Sequence, residues 1–186
     1  MNYFFVIPLL FLSINSCLAD SEFVHCYDFG CKSTQDISFD NEQWASIKRI
    51  FSALPLSPWL EKQQIRQAIA LMETYAGQLT GSEKDQGGNY NGSNLTFQQD
   101  CIDESTNTYQ YLQALQRREL LQWHRVAQKK RRIVWFVTHW TAVIQQNISG
   151  ESYAVDSWYR DNGEPPYIQR LEEWQRKAAF SDSLNP

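Results

Sequence analysis

Residues 133–159 read IVWFVTHWTAVIQQNISGESYAVDSWY, and their pattern decides the fold. Two runs rich in Val, Ile, Thr, Tyr and Trp, at 133–146 and 153–159, flank the polar segment NISGES. β-branched and aromatic residues at this density, bounded by Asn, Ser and Gly, predict antiparallel strands joined as a hairpin. Each run holds one polar group out of keeping with it: His139 in WFVTHWTAVI and Asp156 in YAVDSW. An ionised carboxylate inside such a strand needs a partner to offset its desolvation. Pairing 138–146 with 150–158, centred between Asn147 and Ile148, sets His139 directly opposite Asp156, where cross-strand neighbours lie about 5 Å apart. Ser149-Gly150 is the more natural turn, and centring there shifts the register by four residues, a difference for a longer loop or bulge to absorb.

Upstream of the hairpin, 120–127 is a further β-type run, separated from 133–146 by the basic cluster Lys129–Arg132. That cluster reads as an exposed, charged hairpin turn, and His124, alternating with apolar neighbours, as a packing residue. Residues 101–118 predict a helix with Ile102, Tyr109, Leu112 and Leu115 on one side. Before it, 77–94 contains five Gly with several Asn and Ser and is a polar loop. Asp40 with Gln43 forms a capping box opening a first helix, whose face is Trp44, Ile47, Ile50, Phe51 and Leu54. Ser57-Pro58 opens a second, with the stripe Ile65, Ile69, Met72 and Ala76, closing at Gly77. DNGEPP at 161–166 is turn chemistry, and a last short helix carries Leu171 and Trp174. Helices first and an antiparallel sheet after them make an α+β fold.

The chain has 186 residues, with 17 Lys+Arg against 21 Asp+Glu. The length suits one domain, placed at 20–186, and a net charge of −4 gives no reason to expect nucleic acid as a partner. Tyr3 to Leu12 form an apolar run too short to span a bilayer, which takes about 20 residues. No charge precedes Asp20, and residues 1–19 read as a secretory signal peptide. Cleavage falls either after Ala19 or, lipoprotein-style, before Cys17, which would then anchor the protein to a membrane. The expected location is the cell envelope or periplasm. In an oxidising compartment Cys26 and Cys31 are expected to form a disulfide across the CYDFGC ring. The alternative is a metal site with His25, whose shell would be incomplete. Cys101 is left without a partner, either buried and inert or reactive.

Cys101 falls where the Gly-rich loop meets the predicted third helix, a place where unpaired N–H groups and the helix dipole favour a thiolate. Cys, His and Asp thus occur in order, at intervals of 38 and 17 residues. DCIDESTNTYQYLQAL, THWTAVI and YAVDSWY together resemble the core of the transglutaminase-like cysteine proteinases, including the periplasmic bacterial type. The resemblance spans about residues 95–160. It implies a papain/transglutaminase-like core in which Cys101 is the nucleophile, His139 the base and then the acid, and Asp156 the orienting group. The oxyanion donors would be the Cys101 backbone N–H and a second group, with Gln98 and Gln99 the nearest candidates. The implied activity is hydrolysis or acyl transfer at peptide or isopeptide bonds of a protein or peptide substrate, with no cofactor. Some bacterial members bind calcium through acidic residues flanking the Cys; Asp100 and Asp103 are present, but Ile102 departs from that pattern. The rival readings are a non-catalytic envelope protein that binds a partner through the same fold, and a structural lipoprotein with an inert Cys101.

Overall fold

The helices begin where the sequence places its caps. In this computed structural model, residues 21–89, 96–134, 136–177 and 179–180 are described, so the expected signal segment and Cys17 lie outside them. Asp40 accepts from the Gln43 backbone N–H (2.8 Å) while Gln43 accepts from that of Asp40 (2.9 Å), opening α1 at Asn41–Ile50. Ser57 caps α2, Pro58–Thr80, by accepting from Leu60 N–H. The expected stop at Gly77 is corrected: α2 runs on to Thr80 and ends at Gly81, with φ +88°. Gly77 instead answers to packing, because a Cβ there would lie 3.0 Å from the Glu83 backbone and 2.7 Å from Asn162 Oδ1.

A two-stranded hairpin, β1 (Phe23–Tyr27) and β2 (Ser33–Ile37), precedes the helices, so the expected order of helices first is corrected. The chain continues through α3 (Cys101–Arg117), β3 (His124–Val134), β4 (Val137–Gln146), β5 (Ser152–Asp156), β6 (Tyr167–Arg170) and α4 (Leu171–Gln175). The described residues thus form four helices and two antiparallel sheets, an α+β fold, and the larger sheet has the order β3-β4-β5-β6. Ile47, Ile65, Ile69 and Met72 from the first two helices meet Leu112 and Leu115 of α3 and Ala142, Ile144 and Val155 of the sheet in one core. α3 buries the face of Glu104, Thr108, Tyr111 and Leu115. Ile102 lies nearly opposite that face at 100° per residue and is 39% exposed, which corrects its grouping on one side with the buried Leu112 and Leu115.

Two strand details differ from expectation. Lys129–Arg132 is no turn but lies within β3. β3 ends the strand order, and charge along an edge strand deters pairing with other chains. The β4–β5 ladder pairs Ala142 with Val155 and Gln145 with Ser152, which centres the turn between Ile148 and Ser149. Extending that register puts Asp156 level with Thr141, so His139 and Asp156 are diagonal rather than opposite neighbours. Diagonal pairs on one face remain within reach of long side chains.

The Cys26–Cys31 disulfide forms as expected, with Cα atoms 4.6 Å apart. Asp28, Phe29, Gly30 and Cys31 all take positive φ (64°, 64°, 75° and 55°), a left-handed turn that only Gly30 adopts without cost. Hydrogen bonds hold it against α3 and the segment before it. Cys26 N–H donates to Asn107 Oδ1 (2.8 Å), Cys31 N–H to Asp103 Oδ1 (2.5 Å), and Asp28 N–H to Gln98 O (2.8 Å). Phe97 N–H donates back to Asp28 Oδ1 (2.9 Å). The ring therefore clamps the chain on both sides of Cys101. Replacing both cysteines by Ala is expected to lower stability by about 2 kcal/mol, the loop-entropy value for so short a ring, read by urea unfolding under non-reducing conditions.

Candidate active site

β4 and β5 bring His139 and Asp156 together on one face of the sheet, both buried, at 5% and 1% exposure. His139 Nε2 lies 2.7 Å from Asp156 Oδ2. A carboxylate only accepts, so Nε2 carries the proton in this pair. Trp174 Nε1 donates to the same oxygen at 2.7 Å, so α4 helps fix the carboxylate. The rings of Trp158, Tyr159 and Trp174 stand 4.9, 5.2 and 5.6 Å from the imidazole, centroid to centroid. Arg132, paired with His139 across β3–β4, lies over the Trp174 ring and donates to Tyr159 Oη (2.9 Å) and to the Trp174 carbonyl. Among the described residues no hydrogen bond engages His139 Nδ1.

Cys101 is the first residue of α3, half-buried, and pairs with no other cysteine. The β4–β5 ladder ends at Ala142, and the thiol lies against the next stretch of β4. Its S–H donates to Thr138 O at 3.7 Å, and the Trp140 backbone N–H also reaches the sulfur. Cys101 is thus brought to the backbone on both sides of His139. It makes no hydrogen bond to the imidazole itself. The expected lowering of the thiol pKa is corrected: burial pushes it up, and the charges of Asp100 and Asp156 add to that. The Trp140 and Cys101 N–H groups work the other way without prevailing. The Asp100 charge sits at the helix end because its carboxylate caps α3, accepting from Ile102 N–H (2.9 Å) and Asp103 N–H (3.1 Å).

The two glutamines separate. Gln98 is engaged on both ends of its amide: Oε1 accepts from Gln86 N–H and Asn89, and Nε2 donates to Lys84 O. One of its two amide N–H donors is thus committed to Lys84 O. Gln99 Oε1 accepts from Asn107 Nδ2 at 2.7 Å, while no hydrogen bond engages Gln99 Nε2 among the described residues.

The acids flanking Cys101 serve backbone N–H groups: Asp100 caps α3 through Oδ1, and Asp103 accepts from Asp100 N–H through one oxygen and Cys31 N–H through the other, short of the roughly six to eight oxygens that calcium takes. Cys26, Cys31 and Asp103 are the one group with ligand atoms close enough for a metal among the described residues, but the two sulfurs are bonded to each other. His25, proposed as their metal partner, is hydrogen-bonded to Tyr111 and Ser82, and burial lowers its pKa to about 4. His124 is a packing residue as expected, although a sequence-distant acid, Glu61, meets its Nδ1 at 2.7 Å.

Behind α3 lies a cluster of buried carboxyls. Burial raises Asp103 to about 6, Asp85 to about 7 and Glu73 to about 8, and Glu104 well above its usual range. Ser157, next to Asp156, hydrogen-bonds both Glu73 and Thr108, tying this cluster to the end of β5.

No protein-family model, functionally characterised protein or solved structure matches this chain, so the chemistry of the site stands on its own geometry. The carboxyl cluster sets a pH dependence. Above about pH 6.5 the unfolded chain has released these protons, while folded Asp85 holds its proton up to about pH 7 and folded Glu73 up to about pH 8. The folded state then binds more protons, and stability falls as pH rises. His25, lowered from 6.5 to about 4, costs stability only below that window, as pH falls. The melting temperature is expected to drop from pH 6.5 to 8, and Glu73→Gln to flatten the slope. An equal slope in the variant would contradict the assignment.

Proposed function

We propose that this chain is an exported thiol hydrolase or acyltransferase, acting on peptide or isopeptide bonds through Cys101, His139 and Asp156. The supporting observation is the Asp156–His139 pair, buried and locked through Nε2, on the stretch of β4 that receives the N-terminus of α3. A core like that of the transglutaminase-like cysteine proteinases would place the three groups in this way. The disulfide and the leader-like first 19 residues fit export.

In this reading Nδ1 of His139 takes the thiol proton after a rotamer change at Cys101 turns the sulfur from Thr138 O. Free enzymes often hold such contacts longer than the reacting complex does. A resting thiol with a raised pKa makes the base necessary. The sulfur attacks the carbonyl carbon, and the oxyanion is met by the Cys101 N–H, which already lies against its own sulfur, and by Gln99 Nε2. The imidazolium passes its proton to the departing amine as the C–N bond breaks, leaving a thioester. Water, or an acceptor amine, then attacks the thioester, His139 takes the incoming proton, and the thiol is restored. Trp174 is a positioning residue that acts through Asp156.

One observation favours the rival, a non-catalytic envelope binding protein: the S–H bond directed at Thr138 O. A library of internally quenched peptides separates the two. Cleavage is expected, together with a hydroxylamine-sensitive acyl adduct on the intact chain. Cys101→Ala should abolish both, and His139→Ala should slow cleavage about a thousandfold. Trp174→Phe should lower kcat about tenfold with KM unchanged. Cleavage that survives Cys101→Ala, or the absence of both cleavage and adduct, overturns the enzymatic reading.

A further inference from the structure

β3 contains a bulge with a consequence for the thiol. From Ala127–Val143 to Lys130–Thr141, β3 advances three residues while β4 advances two. One extra residue inverts the alternation of the strand. Val126, before the bulge, packs toward the core, and beyond it Lys129 and Arg131 take that face. Without the bulge Lys130 would stand there.

Lys129 Nζ donates to Thr106 Oγ1 of α3 at 2.7 Å, and lies 5.7 Å from the centre of the Trp140 ring. Arg131, paired with Trp140 across the ladder, lies 5.9 Å from the same ring. Trp140 is the residue whose backbone N–H reaches the Cys101 sulfur, and at Lys129 burial lowers the pKa while a Cys101 thiolate offsets part of that. Neither cation has a carboxylate partner among the described residues. Ile102 and Val137, next in sequence to Cys101 and Thr138, are 39% and 51% exposed and give the surroundings an apolar lip. In a chain of net charge −4, two unpaired cations on one indole beside the nucleophile call for an anion from outside.

We propose that Lys129, Arg131 and Trp140 form a substrate subsite that takes the side-chain carboxylate of an Asp or Glu flanking the scissile bond. The subsite rests on the thiol chemistry proposed above and names its substrate class, an acidic peptide. The lysine, held by Thr106, and the arginine reach the carboxylate from two sides, and the indole face excludes water from one flank.

The test needs no turnover. Cys101 in the full chain is alkylated at low salt with iodoacetate or with iodoacetamide, the thiolate displacing iodide in each case, and the rates are read by mass at the Cys101 peptide. Both reagents need the same thiolate, so their rate ratio cancels its pKa. The iodoacetate-to-iodoacetamide ratio is expected to be about tenfold higher in the folded chain than in urea, and to fall with salt. Arg131→Gln should lower it, and adding Lys129→Gln should remove the excess. Lys130→Gln, exposed on the opposite face, should leave it unchanged. In the peptide library, the preference for Asp or Glu over Asn or Gln should disappear in the double variant. An excess that persists in Arg131→Gln and in a folded double variant, with iodoacetamide labelling intact, overturns the subsite alone. A thiol that reacts with neither reagent until unfolded overturns the nucleophile reading and the subsite with it.

Discussion

A single carboxylate oxygen organises the candidate site. Asp156 Oδ2 accepts from His139 Nε2 and from Trp174 Nε1, each at 2.7 Å, in a region sealed by aromatic rings. Removing either donor would leave part of a buried charge uncompensated, a costly state in a low-dielectric interior. The arrangement therefore specifies the end of β5, the place of α4 and the orientation of the imidazole together. Arg132 adds a fourth element by covering Trp174 from β3. The site is part of the sheet's own stability rather than an addition to it.

Cys101 is set by a separate device. The disulfide ring grips residues 97–98 on one side of Cys101 and Asp103 and Asn107 on the other. α3 is thereby fixed at its first turn, the part of a helix that otherwise frays most readily. Asp100 completes the cap at an electrostatic cost to the thiol, whose pKa rises with burial and with that carboxylate. Rigid placement and a raised thiol pKa thus go together at the first turn of α3, and the proposed chemistry needs a neighbouring base for that reason.

Much of this was legible in the sequence where the signal is local. The capping box at Asp40, the Ser57-Pro58 start and the Cys101 helix start are short-range chemistry and need no tertiary knowledge. The β-rich run with His139 and Asp156 gave both strands, and the need to satisfy a buried acid gave their pairing. What was not legible is what distant packing decides. STQDI is too short and polar to announce β2, and it is a strand because the ring returns it to FVHCY. Lys129–Arg132 has turn-like charge but occupies an edge strand. The ladder centre between Ile148 and Ser149 falls between the two registers that local turn chemistry suggests. Trp174 and Glu61 act across 18 and 63 residues of chain, on Asp156 and His124, and no local pattern marks them.

The proposed chemistry turns on Asp156 holding a proton on His139 Nε2, which leaves Nδ1 without a hydrogen-bond partner among the described residues. Nitrogen-15 NMR of the His139 ring tests it directly. With the imidazole neutral, the account predicts a protonated, pyrrole-type signal for Nε2 and a pyridine-type signal for Nδ1, with that preference lost in Asp156→Ala. A proton found on Nδ1, or ring signals indifferent to Asp156, would contradict it.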